Sequence, residues 1–271
     1  LTSGSVSGGS LTGESLTGGS VSGASLLGRR ALVTGASRGI GKAVALALAA
    51  EGADLALVAR SLTDLEVTAK EVRALGRTAV VAAMDVTDES SVETTTGRVV
   101  AELGGLDVLV NNSGVITASR LLDTSIEEWD RVLGTNLRGT FLVCRAAGRH
   151  LVAQGSGKVI NIASSFGVKP VSGFSAYSAS KAGILQLTKV LALEWARDNV
   201  QVNAIAPGYV ATDLSSAIVE DEAYAAKITA RIPARRMATA DEIGPLAVLL
   251  ASPASDYLTG SVLVTDGGHS L

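Results

Sequence analysis

A chain with a single cysteine cannot close an intrachain disulfide, and Cys144 is the only one here. Its place in the apolar run Thr-Phe-Leu-Val-Cys suits a packed thiol better than a nucleophile. Lack of disulfides fits a reducing compartment, so a cytoplasmic setting is expected. Two histidines, His150 and His269, are too few to build a His/Cys metal cluster, and no metal is expected. Positive charge is not in excess: 23 Lys and Arg stand against 26 Asp and Glu, with no basic stripe, which argues against a nucleic-acid partner. No apolar run approaches the roughly 20 residues that span a bilayer, so no membrane partner is expected. Proline is scarce, at five residues, and aromatics make up 3%.

What the chain has in quantity is small and aliphatic. Of 271 residues, 30 are glycine and 47% are hydrophobic, enough for a substantial core with tight turns. Residues 1–28 stand apart: they repeat Ser, Gly, Thr and Leu, with Glu14 as the only charge before Arg29. This is low-complexity, linker-like sequence, expected to form a flexible N-terminal extension. From residue 29 to 271 one domain is expected, since strand-like and helix-like stretches then alternate. Ala31–Thr34, Asp54–Ala59, Thr78–Met84, Val108–Asn111, Lys158–Ile162, Gln201–Ala206 and Val262–Val264 read as strands. They are short apolar runs without alternation, as in strands covered on both faces. Helical stretches fall at Ile40–Glu51, Leu62–Leu75, Ser90–Leu103, within Ile126–Val152, at Ala176–Arg197 and at Asp241–Ala251. The fold class is therefore α/β, a single doubly wound parallel sheet of Rossmann type flanked by helices on both faces. One long irregular interval, about Pro207–Ala240, has the length of a lid or binding loop.

The first βα turn reads Thr34-Gly35-Ala36-Ser37-Arg38-Gly39-Ile40-Gly41. Its glycines let the backbone turn sharply, and the following helix N-terminus offers free N–H groups to a pyrophosphate. The same residues match the Gly-x-Ser-x-Gly elbow of serine hydrolases, with Ser37 as nucleophile and His269 downstream. Here the turn follows the first strand, so no earlier strand and loop can supply the usual oxyanion donor. The second strand ends in Val58-Ala59-Arg60-Ser61. An NAD site commonly has an acidic residue near this point, whereas Arg60 together with Arg38 suits a 2′-phosphate. NADP(H) is thus expected ahead of NAD(H). Tyr177 and Lys181, in Tyr-Ser-Ala-Ser-Lys, lie one turn apart on one helix face. An ammonium beside a phenol favours the phenolate and fits it for proton transfer to a carbonyl or alcohol oxygen.

In their order along the chain, these motifs resemble the classical short-chain dehydrogenase/reductase family. The likeness spans Arg30–Gly268 and includes Asp85-Val86, Asn111-Asn112-Ser113-Gly114, Asn136, Ser164 and Pro207-Gly208. It implies a catalytic tetrad of Asn136, Ser164, Tyr177 and Lys181. Tyr177 serves as acid/base, Lys181 holds the nicotinamide ribose and lowers the pKa of Tyr177, Ser164 polarises the substrate oxygen, and Asn136 anchors a water linked to Lys181. Ser165 competes with Ser164, which lies at the family's spacing of thirteen residues before Tyr177. Cofactor contacts are implied for Gly35, Ser37, Arg38, Gly39, Ile40, Gly41, Arg60, Asp85, Val86, Asn112, Ser113, Gly114, Tyr177, Lys181, Pro207, Gly208, Val210 and Thr212. The family usually reads Asn-Asn-Ala-Gly where this chain has Ser113, a small change.

The implied activity is NADP(H)-dependent interconversion of a carbonyl and a secondary alcohol by hydride transfer. The resemblance is nearest to 3-oxoacyl-[acyl-carrier-protein] reductases, implying an acyl-thioester substrate. Sugar dehydrogenases of the gluconate 5-dehydrogenase or glucose 1-dehydrogenase type are the alternative. A non-catalytic NADP-sensing module on the same fold is a further alternative, one expected to have lost part of the tetrad. The resemblance also implies a substrate lid at about 212–240 and a homotetramer. Ile184, Leu185, Leu187, Leu191 and Trp195 are candidates for the subunit contacts.

Overall fold

The computed structural model describes residues 25–212 and 222–271. Seven parallel strands form the main sheet: β1 (Arg30–Thr34), β2 (Asp54–Ala59), β3 (Ala79–Ala83), β4 (Val108–Asn111), β5 (Gly157–Ile162), β6 (Val200–Pro207) and β9 (Val262–Thr265). Their order is β3-β2-β1-β4-β5-β6-β9. The chain reverses its direction of travel between β1 and β4, which leaves a crevice beyond the carboxyl ends of those strands.

Alternate residues of each strand feed two separate cores. Ala31, Val33, Leu55, Leu57 and Val108 pack with α1 (Gly39–Ala50), α2 (Leu62–Ala74) and α8 (Gly244–Ala251). Leu32, Ala56, Val58 and Leu109 pack with α3 (Glu89–Leu103), α5 (Gly139–Gln154) and α6 (Ser175–Trp195). Both faces are covered, which is why the strands read as unbroken apolar runs. Helix starts follow from side-chain caps: Ser61 accepts the Asp64 N–H, Asp88 that of Ser90, and Ser125, ahead of α4 (Ile126–Leu133), that of Glu128.

The helical stretch expected within Ile126–Val152 is divided. A π-type turn over Gly134–Arg138 joins α4 to α5, with Asn136 inside it. The irregular interval after β6 holds a two-residue parallel pair, β7 (Val210–Ala211) with β8 (Ala238–Thr239), and the helix α7 (Glu222–Thr229). The part of the expected lid from 213 to 221, with Ile218, lies outside the described residues.

Two expectations need correction. Residues 25–28 do not belong to a loose extension: Leu26 is fully buried in the α1-side core, its N–H donates to Glu51 O, and Ser25 bonds the Glu51 carboxylate. Residues 1–24 lie outside the described residues. The apolar residues of α6 proposed for subunit contacts are instead largely internal. Ile184 and Leu191 are buried, and Leu185, Leu187 and Trp195 pack against the core. Trp195 covers Gly148, where any Cβ would stand 2.6 Å from the indole. The large apolar side chains that α5 and α6 do expose are Phe141, Val190 and Leu193. Arg145 and Arg149 of α5 pair across helices with Glu89 and Glu93 of α3.

Truncating Leu26 to Ala is expected to cost about 2–5 kcal/mol of unfolding free energy, as for other buried leucines. Denaturant titration checks this; a loss below about 1 kcal/mol would place Leu26 outside the cooperative core.

Candidate active site

The crevice is built first by the glycine turn. Gly35 and Gly39 have φ of 63° and 54°, in the left-handed region that side chains disfavour. At Gly41 a Cβ would lie 2.2 Å from Gly35 O and 2.4 Å from Asn112 Nδ2, so the α1 start admits only glycine. Asn112 Nδ2 donates to Thr34 O and Gly35 O, and the N–H groups of Asn112 and Ser113 both donate to Thr34 Oγ1. Thr34 therefore ties the glycine turn to the loop after β4. Sequence reading assigned it no role, although a hydroxyl residue ending an apolar strand was the available signal.

A cavity of about 790 Å³ opens over this turn. It is lined by Gly35, Ser37, Arg38, Gly39, Ile40, Arg60, Asp85, Val86, Asn112, Ser113, Gly114 and Thr212, all expected cofactor contacts, and also by Asp64, Arg131 and Thr135, which were not. Asp64 belongs to the first turn of α2, where its N–H is capped by Ser61. The Asp85 carboxylate accepts the Thr87 N–H and hydroxyl, and these bonds lower its pKa, with a smaller contribution from the Arg60 charge. The glycine cradle and the size and lining of the cleft fit a dinucleotide, with two guanidinium groups at the end near β2.

A second cavity, of about 130 Å³, adjoins the first: Ile40, Asn112, Gly114 and Thr212 line both. Its walls include Ser164, Tyr177, Lys181, Pro207, Gly208 and Val210. Lys181 is buried on α6, and its Nζ donates to Ile162 O at the end of β5 (2.8 Å). The ammonium lies 5.7 Å from the centre of the Tyr177 ring. Burial pulls the Lys181 pKa down to about 8. Burial also raises the Tyr177 pKa, and a hydrogen bond from Ser164 offsets part of the rise. In the free site burial thus acts on Tyr177 against the acidifying effect expected of the neighbouring Lys181 charge.

Ser164 caps the short helical turn Ser165–Gly167, accepting the Phe166 N–H, and faces the cavity; Ser165 is fully buried and does not line it. Asn136 is fully buried. Its Oδ1 accepts the Val115 N–H, and its Nδ2 donates to Val115 O and Ser180 Oγ. The side chain is thus spent on structure, so any water it anchors would have to use its backbone carbonyl, which accepts from Thr140 Oγ1. Asn136 lies within the π-type turn. Ser37 lines the larger cavity, whereas His269 packs on Tyr209 and Phe166, so no Ser–His pair for hydrolysis is formed.

A glycine cradle at the switch point of a parallel sheet, beside a buried Tyr–Lys pair with a serine facing it, defines a dinucleotide-dependent oxidoreductase of CH–OH and C=O groups. A family model described as Enoyl-(Acyl carrier protein) reductase matches residues 35–270, and the chain belongs to the short-chain dehydrogenase/reductase family. It is 40% identical to 2-dehydro-3-deoxy-D-gluconate 5-dehydrogenase of Escherichia coli over 89% of this chain and 95% of that one. It is 38% identical to gluconate 5-dehydrogenase of Gluconobacter oxydans, over 89% and 94%. A gluconate 5-dehydrogenase from Burkholderia cenocepacia, solved with NADP and tartrate, superposes with a TM-score of 0.87 at 37% identity, covering 90% of this chain and 96% of that one. Among the described residues no helix is long and apolar enough to cross a membrane, and no cluster of metal ligands is present.

Replacing Thr34 by Val strands two N–H groups and is expected to lower stability by about 1–3 kcal/mol. It should also weaken dinucleotide binding, read by fluorescence titration; unchanged stability would mean that Thr34 Oγ1 does not hold the β4 loop.

Proposed function

We propose that the chain interconverts a carbonyl and a secondary alcohol with NADP(H), and that Asn136, Ser164, Tyr177 and Lys181 form its catalytic apparatus. The observation that carries the reading is the convergence of Ser164, Tyr177 and buried Lys181 on one small cavity continuous with the nucleotide cleft. When bound, NADP(H) supplies or accepts the hydride. The residues of the glycine turn hold the pyrophosphate, and Arg38 and Arg60 read the 2′-phosphate. Ser164 and Tyr177 bind the substrate oxygen, where negative charge grows during reduction. Tyr177 then gives its phenolic proton to that oxygen. Lys181 keeps positive charge beside the phenol and holds the ribose hydroxyls. The NADP-bound Burkholderia relative supports the cofactor assignment.

Likeness alone ranks a sugar-acid substrate of the gluconate type ahead of the 3-oxoacyl thioester, because the relatives bear those names. Salt-bridged Arg145 and Arg149 likewise weaken the carrier-protein reading. In this proposal the segment from 212 to 240 is the substrate lid. Phe141, Val190 and Leu193 are large exposed apolar side chains on α5 and α6 available for a homotetramer, which light scattering would size.

Tyr177→Phe is expected to reduce turnover by about 10²-fold or more while NADPH binding survives. A spectrophotometric screen with acetoacetyl thioester, keto-sugars and diketones measures this, and turnover within a few-fold of the parent would remove Tyr177 from its role. Arg60→Ala should weaken NADPH by more than NADH; equal weakening would mean that Arg60 does not meet the 2′-phosphate.

A further inference from the structure

The chain is poor in aromatic residues, yet two of its three phenylalanines and two of its four tyrosines meet at the smaller cavity. Phe166 is their hub. Its ring centroid lies 5.1 Å from that of Phe174, 6.0 Å from Tyr177 and 5.4 Å from Tyr209, all edge-to-face. Ile116 completes the wall. Edge-to-face packing fixes these rings relative to Tyr177, so the wall is set before any substrate arrives.

The polar side chains lining this cavity are Asn112, Ser164, Tyr177, Lys181, Tyr209 and Thr212. Asn112 is tied to the glycine turn, Lys181 to Ile162 O, and Ser164 and Tyr177 face one another where a single oxygen would sit. No arginine, histidine or carboxylate lines the cavity among the described residues. A six-carbon keto acid carries a carboxylate and several hydroxyls. Each group brought against Phe166, Phe174 and Ile116 would lose water without gaining a partner, and on a substrate with several such groups these costs add. A hydrocarbon ring or aryl group on the same wall gains from burial and from ring contacts.

We propose that this site takes a ketone, or the corresponding secondary alcohol, carried on an apolar ring or aryl flank, and that Ile116 and Phe174 select it. The proposal rests on the carbonyl–alcohol reading given above. It separates the chain from the gluconate-type enzymes it is similar to.

The test compares kcat/KM for 1-phenyl-1,2-propanedione and 5-keto-D-gluconate at saturating NADPH, in the parent and in the variants Phe174→Ser and Ile116→Asn. The expected result is a preference of at least about tenfold for the aryl diketone, the scale of one or two buried methylenes. It should fall at least about fivefold in each variant that still binds NADPH by fluorescence titration. Equal rates, a preference for the keto acid, or a preference unchanged in both variants would overturn the proposal. So would NADPH binding without turnover of either probe. Such a failure is distinct from failure of the reaction reading, which requires that the wider carbonyl screen also give no oxidation.

Discussion

Everything at this site depends on one buried cation. Lys181 keeps its ammonium inside the protein, donating to Ile162 O, on a helix that also carries Tyr177. Burying a charge is costly unless it is bonded and positioned. Here β5 supplies the acceptor at the end of a strand whose next residues run into Ser164. The same contact therefore fixes the distance between the serine side of the cavity and the helix that bears the phenol. Desolvation lowers the pKa of the ammonium and raises that of the phenol.

Around that cation the fold supplies two kinds of rigidity. A buried polar chain runs from Asn111 Nδ2 to Asn161 Oδ1 and from Asn161 Nδ2 to Thr188 Oγ1, which donates to Ile184 O. It links β4, β5 and α6. Cys144 belongs to the same neighbourhood: its sulfur accepts from Asn111, and burial pushes its pKa up to about 12, which removes it from nucleophilic chemistry. On the cavity side the aromatic group around Phe166 gives the wall its shape. The polar network sets register and the rings set the space.

Most of the fold was legible in the sequence because both faces of the sheet are covered, and unbroken apolar runs such as Leu55–Val58 have few other readings. The glycine turn was legible because close approach leaves a single residue type possible at positions such as Gly41. The division of the α4–α5 stretch was not legible, since a π-type turn has no composition signal in Gly134–Arg138; it is set by Asn136 reaching back to Val115. Leu26 was hidden because its neighbours look like linker, and burial depends on a partner, Glu51, that is distant in sequence. The desolvation of Tyr177 and Lys181 also lay beyond sequence, because spacing reports a neighbouring charge but not the water removed from it. The selecting wall escaped for a similar reason: Ile116, Phe166, Phe174 and Tyr209 come from three separate loops and share no motif.

The central claim is that Lys181 is a desolvated cation held by a strand-end carbonyl. Its pKa can be read directly by following the ε-carbon of isotopically labelled lysine by NMR through a pH titration of the cofactor-free protein, with Lys181→Met to assign the signal. The expected midpoint is about 8. A midpoint near the ordinary lysine value of 10.5 would contradict it.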